Sequence, residues 1–187
     1  PDLLILGGDI VDNNTPDSYY TLLTDTLGRL QPAFGKFCVE GDNEAEQTND
    51  YAEQMEKAGV TFLKDQTAYL YNQYRLIGLR DMSDKDKILP SSYLEQIKKD
   101  SPYTIVISHR PRKLEDIAQY NVNLTLCGHT AGGQYPLTGW IENLSSDMIY
   151  GIKKTGTMTA VTTSGAGQYG IPSKIMAPAE IVKITLS

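Results

Sequence analysis

Both histidines of this 187-residue chain lie one or two residues past an apolar run. His109 follows Thr104-Ile105-Val106-Ile107-Ser108, and His129 follows Leu124-Thr125-Leu126-Cys127-Gly128. Carboxylates stand in the same relation to two earlier runs. Leu3-Leu4-Ile5-Leu6 leads into Gly7-Gly8-Asp9-Ile10-Val11-Asp12, and Phe37-Cys38-Val39 leads into Gly41-Asp42-Asn43-Glu44. Short apolar runs without alternation read as strands buried on both faces. Ligands of α/β sheets gather at the carboxyl ends of such strands. Carboxylate oxygens together with imidazole nitrogens suit a divalent metal such as Mn, Fe or Zn. The flanking glycines let the backbone bend sharply and come close to a ligand. A metal held there polarises a phosphoryl oxygen and lowers the pKa of water, which gives a nucleophile near neutral pH.

Any one of these signals is ordinary, since a Gly-Asp pair after a strand is usually a turn and a strand-end histidine is usually structural. It is their order along the chain, at βαβ spacing, that points to a metal site. Asp12 reads as a turn cap or as support behind the ligands. Glu44 and Arg110 read as supporting or structural residues, and Asp2 and Asp84-Lys85-Asp86-Lys87 as solvated surface. Cys38 and Cys127 sit inside apolar runs and read as buried thiols. Tyr19, Tyr20, Tyr69, Tyr71 and Tyr74 read as packing at the edge of the core.

The elements that must position these residues follow from pattern. Tyr19, Leu22, Leu23, Leu27 and Leu30 recur at helical spacing, with Asp17 or Ser18 as N-cap. A second helix is expected over Asp50–Ala58, ended by Gly59. Ala68–Tyr71 and Arg75–Leu79 read as a hairpin about Asn72-Gln73. Met82–Lys87 reads as a polar loop. Pro90 and the Ser92/Glu95 capping box begin a helix to about Lys99, and Leu114, Ile117 and Ala118 mark a short one. Met148–Lys153 and Met158–Thr163 form a hairpin around Thr155-Gly156, and Glu180–Leu186 reads as a last strand. Helix-rich βαβ units followed by strands imply an α/β layered fold with mixed sheets.

Composition removes several classes of function. With 23 acidic against 17 basic residues the net charge is −6, which argues against a basic nucleic-acid face. No apolar run is long enough to span a membrane. Two cysteines make no disulfide scaffold and fit a reducing compartment.

The ordered blocks resemble those of the calcineurin-like metallophosphoesterase superfamily, and most closely its bacterial branch of small phosphohydrolases with a Gly-His-Thr-His-Gly-Gly-Gln motif. Gly8-Asp9-Ile10-Val11-Asp12 matches the family's Gly-Asp-x-x-Asp block. Gly41-Asp42-Asn43-Glu44 stands in place of Gly-Asn-His-Asp/Glu. Ser108-His109-Arg110-Pro111 matches the single-histidine block, and Gly128–Gln134 the last one. Ser164–Gly167 and Pro178–Leu186 resemble the branch's ending. The resemblance covers nearly all of residues 1–187 and implies a single domain with a four-layer αββα sandwich of mixed sheets.

The departures fall on one side of the two-metal site. The family's first strand with its Asp-x-His block is absent, so the domain reads as N-terminally incomplete. Ala131 stands where the family has a histidine. The resemblance then leaves Asp9, Asp42, His109 and His129 to hold metal, one site rather than two. Asn43 replaces the family's histidine beside the leaving group, and an amide has no useful pKa for proton donation. Such a loss typically costs about 10²–10⁴-fold in rate. One divalent ion with Asp9 and Asp42 sums to about zero charge, against about +2 for the full site, which weakens the hold on a phosphate anion. The resulting expectation is a metal-dependent phosphoesterase with an eroded site and weak or absent activity. The alternative is a non-catalytic metal-binding or interaction module that kept the scaffold. A phosphoester small molecule or lipid head group is the expected partner. The expected place is the cytoplasm, with membrane association through a segment outside this chain.

Overall fold

The computed structural model describes residues 1–12, 15–44, 49–81, 91–97, 101–134, 146–167 and 175–186. Its strands are β1 (Leu4–Leu6), β2 (Lys36–Cys38), β3 (Val60–Phe62), β4 (Gln66–Leu70), β5 (Tyr74–Gly78), β6 (Tyr103–Ser108), β7 (Leu124–Cys127), β8 (Gly151–Thr155) and β9 (Met158–Thr162). Its helices are α1 (Asp17–Arg29), α2 (Asn49–Lys57), α3 (Ser91–Leu94) and α4 (Leu114–Ile117), the last continued by a 3₁₀ turn over Ala118–Tyr120. One sheet has the order β1-β2-β3, all parallel. The other has the order β4-β5-β6-β7-β9-β8, parallel from β5 to β9 with an antiparallel strand at each edge.

Strand alternation sorts the side chains into layers. Leu3, Ile5 and Phe37 from one sheet meet Leu76, Ile105, Ile107 and Leu124 from the other, which makes the core between the sheets. The opposite face of the small sheet, through Leu4, Leu6 and Cys38, packs on Leu27 of α1 and Met55 of α2. The opposite face of the large sheet, through Ile77, Val106 and Cys127, packs on Leu94, Leu114 and Ile117. The result is helix, sheet, sheet, helix: the four-layer α/β sandwich with mixed sheets. Both cysteines are buried thiols. Lys36 is buried in β2, and its ammonium donates to the carbonyls of Leu27 (2.7 Å), Leu30 (3.0 Å) and Ala58 (2.6 Å) at the C-terminal ends of both α1 and α2. A cation placed there suits the negative ends of both helices, and at Leu27 it adds to the bond that the Leu30 N–H already makes.

Several expectations need correction. Pro16, not Asp17 or Ser18, holds the N-cap position of α1, with no side-chain cap bond. Its extended backbone turns the chain into the helix, which leaves Asp17 in the first turn, where a carboxylate suits the helix dipole. Strand β3 was not anticipated; it is only Val60-Thr61-Phe62, directly after the left-handed Gly59 that ends α2. Residues 180–186 form no strand. Glu180 is tied to Gly165, Thr163 and Ser164, but Ile181–Leu186 runs exposed, and alternation makes a strand only when a neighbour answers its backbone groups. Tyr20 packs edge-on against Tyr51, and Tyr71 and Tyr74 both contact Phe34, although Tyr71 is otherwise exposed, as are Tyr19 and Tyr69. The helix expected to run to about Lys99 ends at Leu94, and residues 95–97 leave it as a turn. The polar loop at Met82–Lys87, the helix start at Pro90 and the Ser92 side chain lie outside the described residues.

Candidate metal centre

Two loops, after β1 and after β2, meet at the thickness of glycine. Gly8 is left-handed (φ +87°), and a Cβ on it would stand 2.6 Å from both the Gly41 nitrogen and Nδ1 of His109. A Cβ on Gly41 would overlap the Asp9 carboxylate. Glu44 fastens the pair from behind. Its buried carboxylate accepts the backbone N–H groups of Asp9 (2.7 Å), Val11 (3.2 Å) and Gly41 (2.8 Å), and of Ile10 as well. Burial pushes the Glu44 carboxyl pKa up, and these bonds oppose that rise. The ends of β6 and β7 are tied likewise, with Gly128 N–H donating to the His109 carbonyl at 2.9 Å. Asp9 (φ 54°) and His129 (φ 64°) are both left-handed, a local cost typical of functional sites.

These ties bring Asp9, Asp42, His109 and His129 together, so that one ligand atom from each lies within 4.8 Å of the others. His109 Nε2 is 3.0 Å from Asp42 Oδ1 and 3.2 Å from Asp9 Oδ2. His129 Nδ1 is 3.1 Å from the same Asp42 oxygen. His109 is buried, whereas the side chains of Asp9 and Asp42 are 26% and 38% exposed, so the cluster opens to solvent on its carboxylate side. Burial disfavours a charged His109, but its contacts with Asp42, Asp9 and the Gly7 carbonyl outweigh this and push its pKa up to about 10. Burial likewise disfavours a charged Asp42, yet hydrogen bonds from His109 and His129 and the charge of Arg110 hold its carboxyl well below the usual range.

The donor set fits a divalent ion. His109 Nδ1 is committed to the Gly7 carbonyl at 2.7 Å, which leaves Nε2 facing two carboxylate oxygens. A bare lone pair there is repelled, so a positive centre belongs among these atoms, either a proton on Nε2 or a cation. Two carboxylates and two imidazoles are a mixed oxygen and nitrogen set suited to Mn, Fe or Zn.

The other expected residues lie around this cluster. Asp12 is 2.9 Å from the Thr15 hydroxyl in a turn and is not one of the four clustered residues. Asn43 touches the site through its backbone, whose N–H donates to Asp9 Oδ1 at 3.0 Å. Ala131, left-handed at φ 48°, carries no donor for a metal. Asp81 was missed. It is buried beside the centre and accepts Arg110 Nε at 2.9 Å. It lies three residues past β5, so the strand-end pattern that singled out the four clustered residues could have found it too.

Comparison with known proteins bears on the family and the fold. A family model described as calcineurin-like phosphoesterase matches residues 1–133. The chain is 30% identical to the uncharacterized metallophosphoesterase YkuE of Bacillus subtilis, over 100% of its own length and 68% of that protein. It is 30% identical to the phosphodiesterase YaeI of Escherichia coli, over 91% of its own length and 66% of that protein. It spans about half the length of other curated relatives that it matches. The solved structure of Thermus thermophilus sulfate thiohydrolase SoxB in complex with glycerol shares the fold, with TM-score 0.50, 14% identity, and cover of 87% of this chain and 34% of that one. Among the described residues no helix is long and apolar enough to cross a membrane. The chain, by its ordered blocks and its layered fold, belongs to the calcineurin-like phosphoesterase family.

Proposed function

We propose that this chain is a metal-dependent phosphoesterase with an eroded centre that binds one divalent ion and turns over weakly. The observation that carries the reading is the convergence of four ligand atoms, from Asp9, Asp42, His109 and His129, within 4.8 Å. A divalent ion bound there supplies Lewis acidity toward a phosphoryl oxygen and lowers the pKa of water. The chain's own residues shape the site around those ligands. Gly7 orients His109, and Glu44 holds the Asp9 and Gly41 loops in contact. The exposed carboxylate side is the side from which a phosphoester approaches. Asn43 offers its backbone N–H to Asp9, and its amide side chain cannot protonate a leaving group. The proposed substrate is a phosphoester small molecule or lipid head group, and the proposed setting is the cytoplasm, at a membrane through a segment outside this chain.

Asn43 and Ala131 favour a second reading, a metal-binding or interaction module without catalysis. Elemental analysis of the purified chain after Mn loading, together with a bis(p-nitrophenyl) phosphate assay, separates the two. The first reading expects a single ion per chain and slow hydrolysis, both lost in His109→Ala. Two ions per chain, or none in excess Mn, overturns the one-ion centre. Binding without any His109-dependent turnover leaves the module as the better account.

A further inference from the structure

Arg110 directly follows His109 at the end of β6, and its side chain is only 11% exposed. The Ser108 hydroxyl donates to the Arg110 carbonyl at 2.9 Å, which fixes the local backbone. All three guanidinium nitrogens are engaged. Nε donates to Asp81 Oδ1 at 2.9 Å, Nη2 pairs with Asp42 Oδ2 at 3.2 Å, and Nη1 meets His129 Nε2 at 2.7 Å.

A guanidinium only donates. His129 Nε2 therefore accepts from Arg110, and the ring hydrogen stands on Nδ1, aimed at Asp42 Oδ1 3.1 Å away. The two histidines are thus set in opposite senses. Gly7 takes the Nδ1 hydrogen of His109 and turns Nε2 of that ring toward the cluster. Arg110 takes the Nε2 lone pair of His129 and leaves a hydrogen where a cation would sit. For Nδ1 of His129 to bind a cation, the ring hydrogen must stand on Nε2. There it would face the Nη1 hydrogen of Arg110 across 2.7 Å, donor against donor. The guanidinium also occupies the second oxygen of Asp42.

We propose that Arg110 is a lock on the metal centre: its hold on Nε2 of His129 keeps the ring hydrogen where the cation would sit, and it must withdraw from His129 before an ion can be held there. The proposal rests on the metal-binding reading above. It runs against the ordinary role of a buried arginine between two carboxylates, which is to brace them. A bracing residue, once removed, loosens the ligands and weakens binding. A lock, once removed, strengthens it.

The test is calorimetric titration of Mn²⁺ and of Zn²⁺ into the wild-type chain and into Arg110→Met, with circular dichroism to check folding. The lock predicts binding tighter by about tenfold in Arg110→Met, the worth of one hydrogen bond to a charged group. Equal or weaker binding by a folded Arg110→Met chain overturns it. Should that variant not fold, ¹⁵N spectra of the histidines in the wild-type chain decide. The lock expects the hydrogen of His129 on Nδ1 without metal and on Nε2 after Zn²⁺ is added; a hydrogen already on Nε2 without metal overturns it. If the wild-type chain and the variant both bind neither ion, the metal-binding reading fails and takes the lock with it. If the wild-type chain binds and the variant shows no gain, the lock alone fails.

Discussion

At the scale of the residue, His109 governs how the centre responds to pH. Asp9, Asp42 and the Gly7 carbonyl face its ring and push its pKa up to about 10. An ion that takes its place on Nε2 must displace that proton. Affinity should therefore climb with pH by about tenfold per unit below pH 10, for one proton released. Competition titration of Mn²⁺ at about pH 6.5, 7.5 and 8.5 reads that slope; a flat profile contradicts it. The same ring shapes the stability of the metal-free chain. A raised histidine pKa stabilises fully below its ordinary value near 6.5 and is lost as pH rises through about 10. Asp42, lowered from 3.8, contributes above that value and is lost on acidification. Thermal melting in chelator should thus weaken on the alkaline side as His109 gives up its proton. Asp9, Asp42, His109 and His129 stood out because each follows an apolar run within a few residues, and the family resemblance then grouped them as candidate ligands. The roles of Arg110 and Asp81 were not, since they depend on which loop faces which, and spacing along the chain does not carry that.

Elements explain why glycine is required at particular positions around this centre. Gly41 sits against Asp9 with no room for a Cβ, whereas Gly28 in α1 has nothing within 4 Å of where a Cβ would lie. Gly41→Ala should abolish metal binding by forcing Asp9 aside. Gly28→Ala should leave binding intact and raise stability by about 0.5–1 kcal/mol, the ordinary gain in a helix. Urea unfolding and Mn²⁺ titration of the two variants check both outcomes, and equal behaviour contradicts the argument. The strands that flank the centre were readable from their continuous apolar character, which burial on two faces demands. Glu180–Leu186 instead alternates, with Val182, Ile184 and Leu186 between Lys183 and Thr185, yet it takes no place in a ladder. Composition states a willingness to pair, and a partner decides the outcome. Strand β3, with three residues, is too short to show a period at all.

At the scale of the whole molecule, pattern gave an α/β layered fold with mixed sheets, and the four-layer order came from resemblance. Alternation could say which strands are buried on both faces, but not that β1-β2-β3 and the larger sheet would close on each other. The β1 end lies beside the His109 loop only because the two sheets stack, so the centre belongs to the sandwich and not to either sheet. Lys36 holds the outer helices to that sandwich. Its single ammonium answers carbonyls at the ends of both α1 and α2, so the two last turns share one buried cation. Lys36→Met should cost at least about 2 kcal/mol, since buried carbonyls lose their donor. In the currency of amide hydrogen exchange, the wild-type helix ends should open as one cooperative unit with a shared free energy. In Lys36→Met they should separate into two.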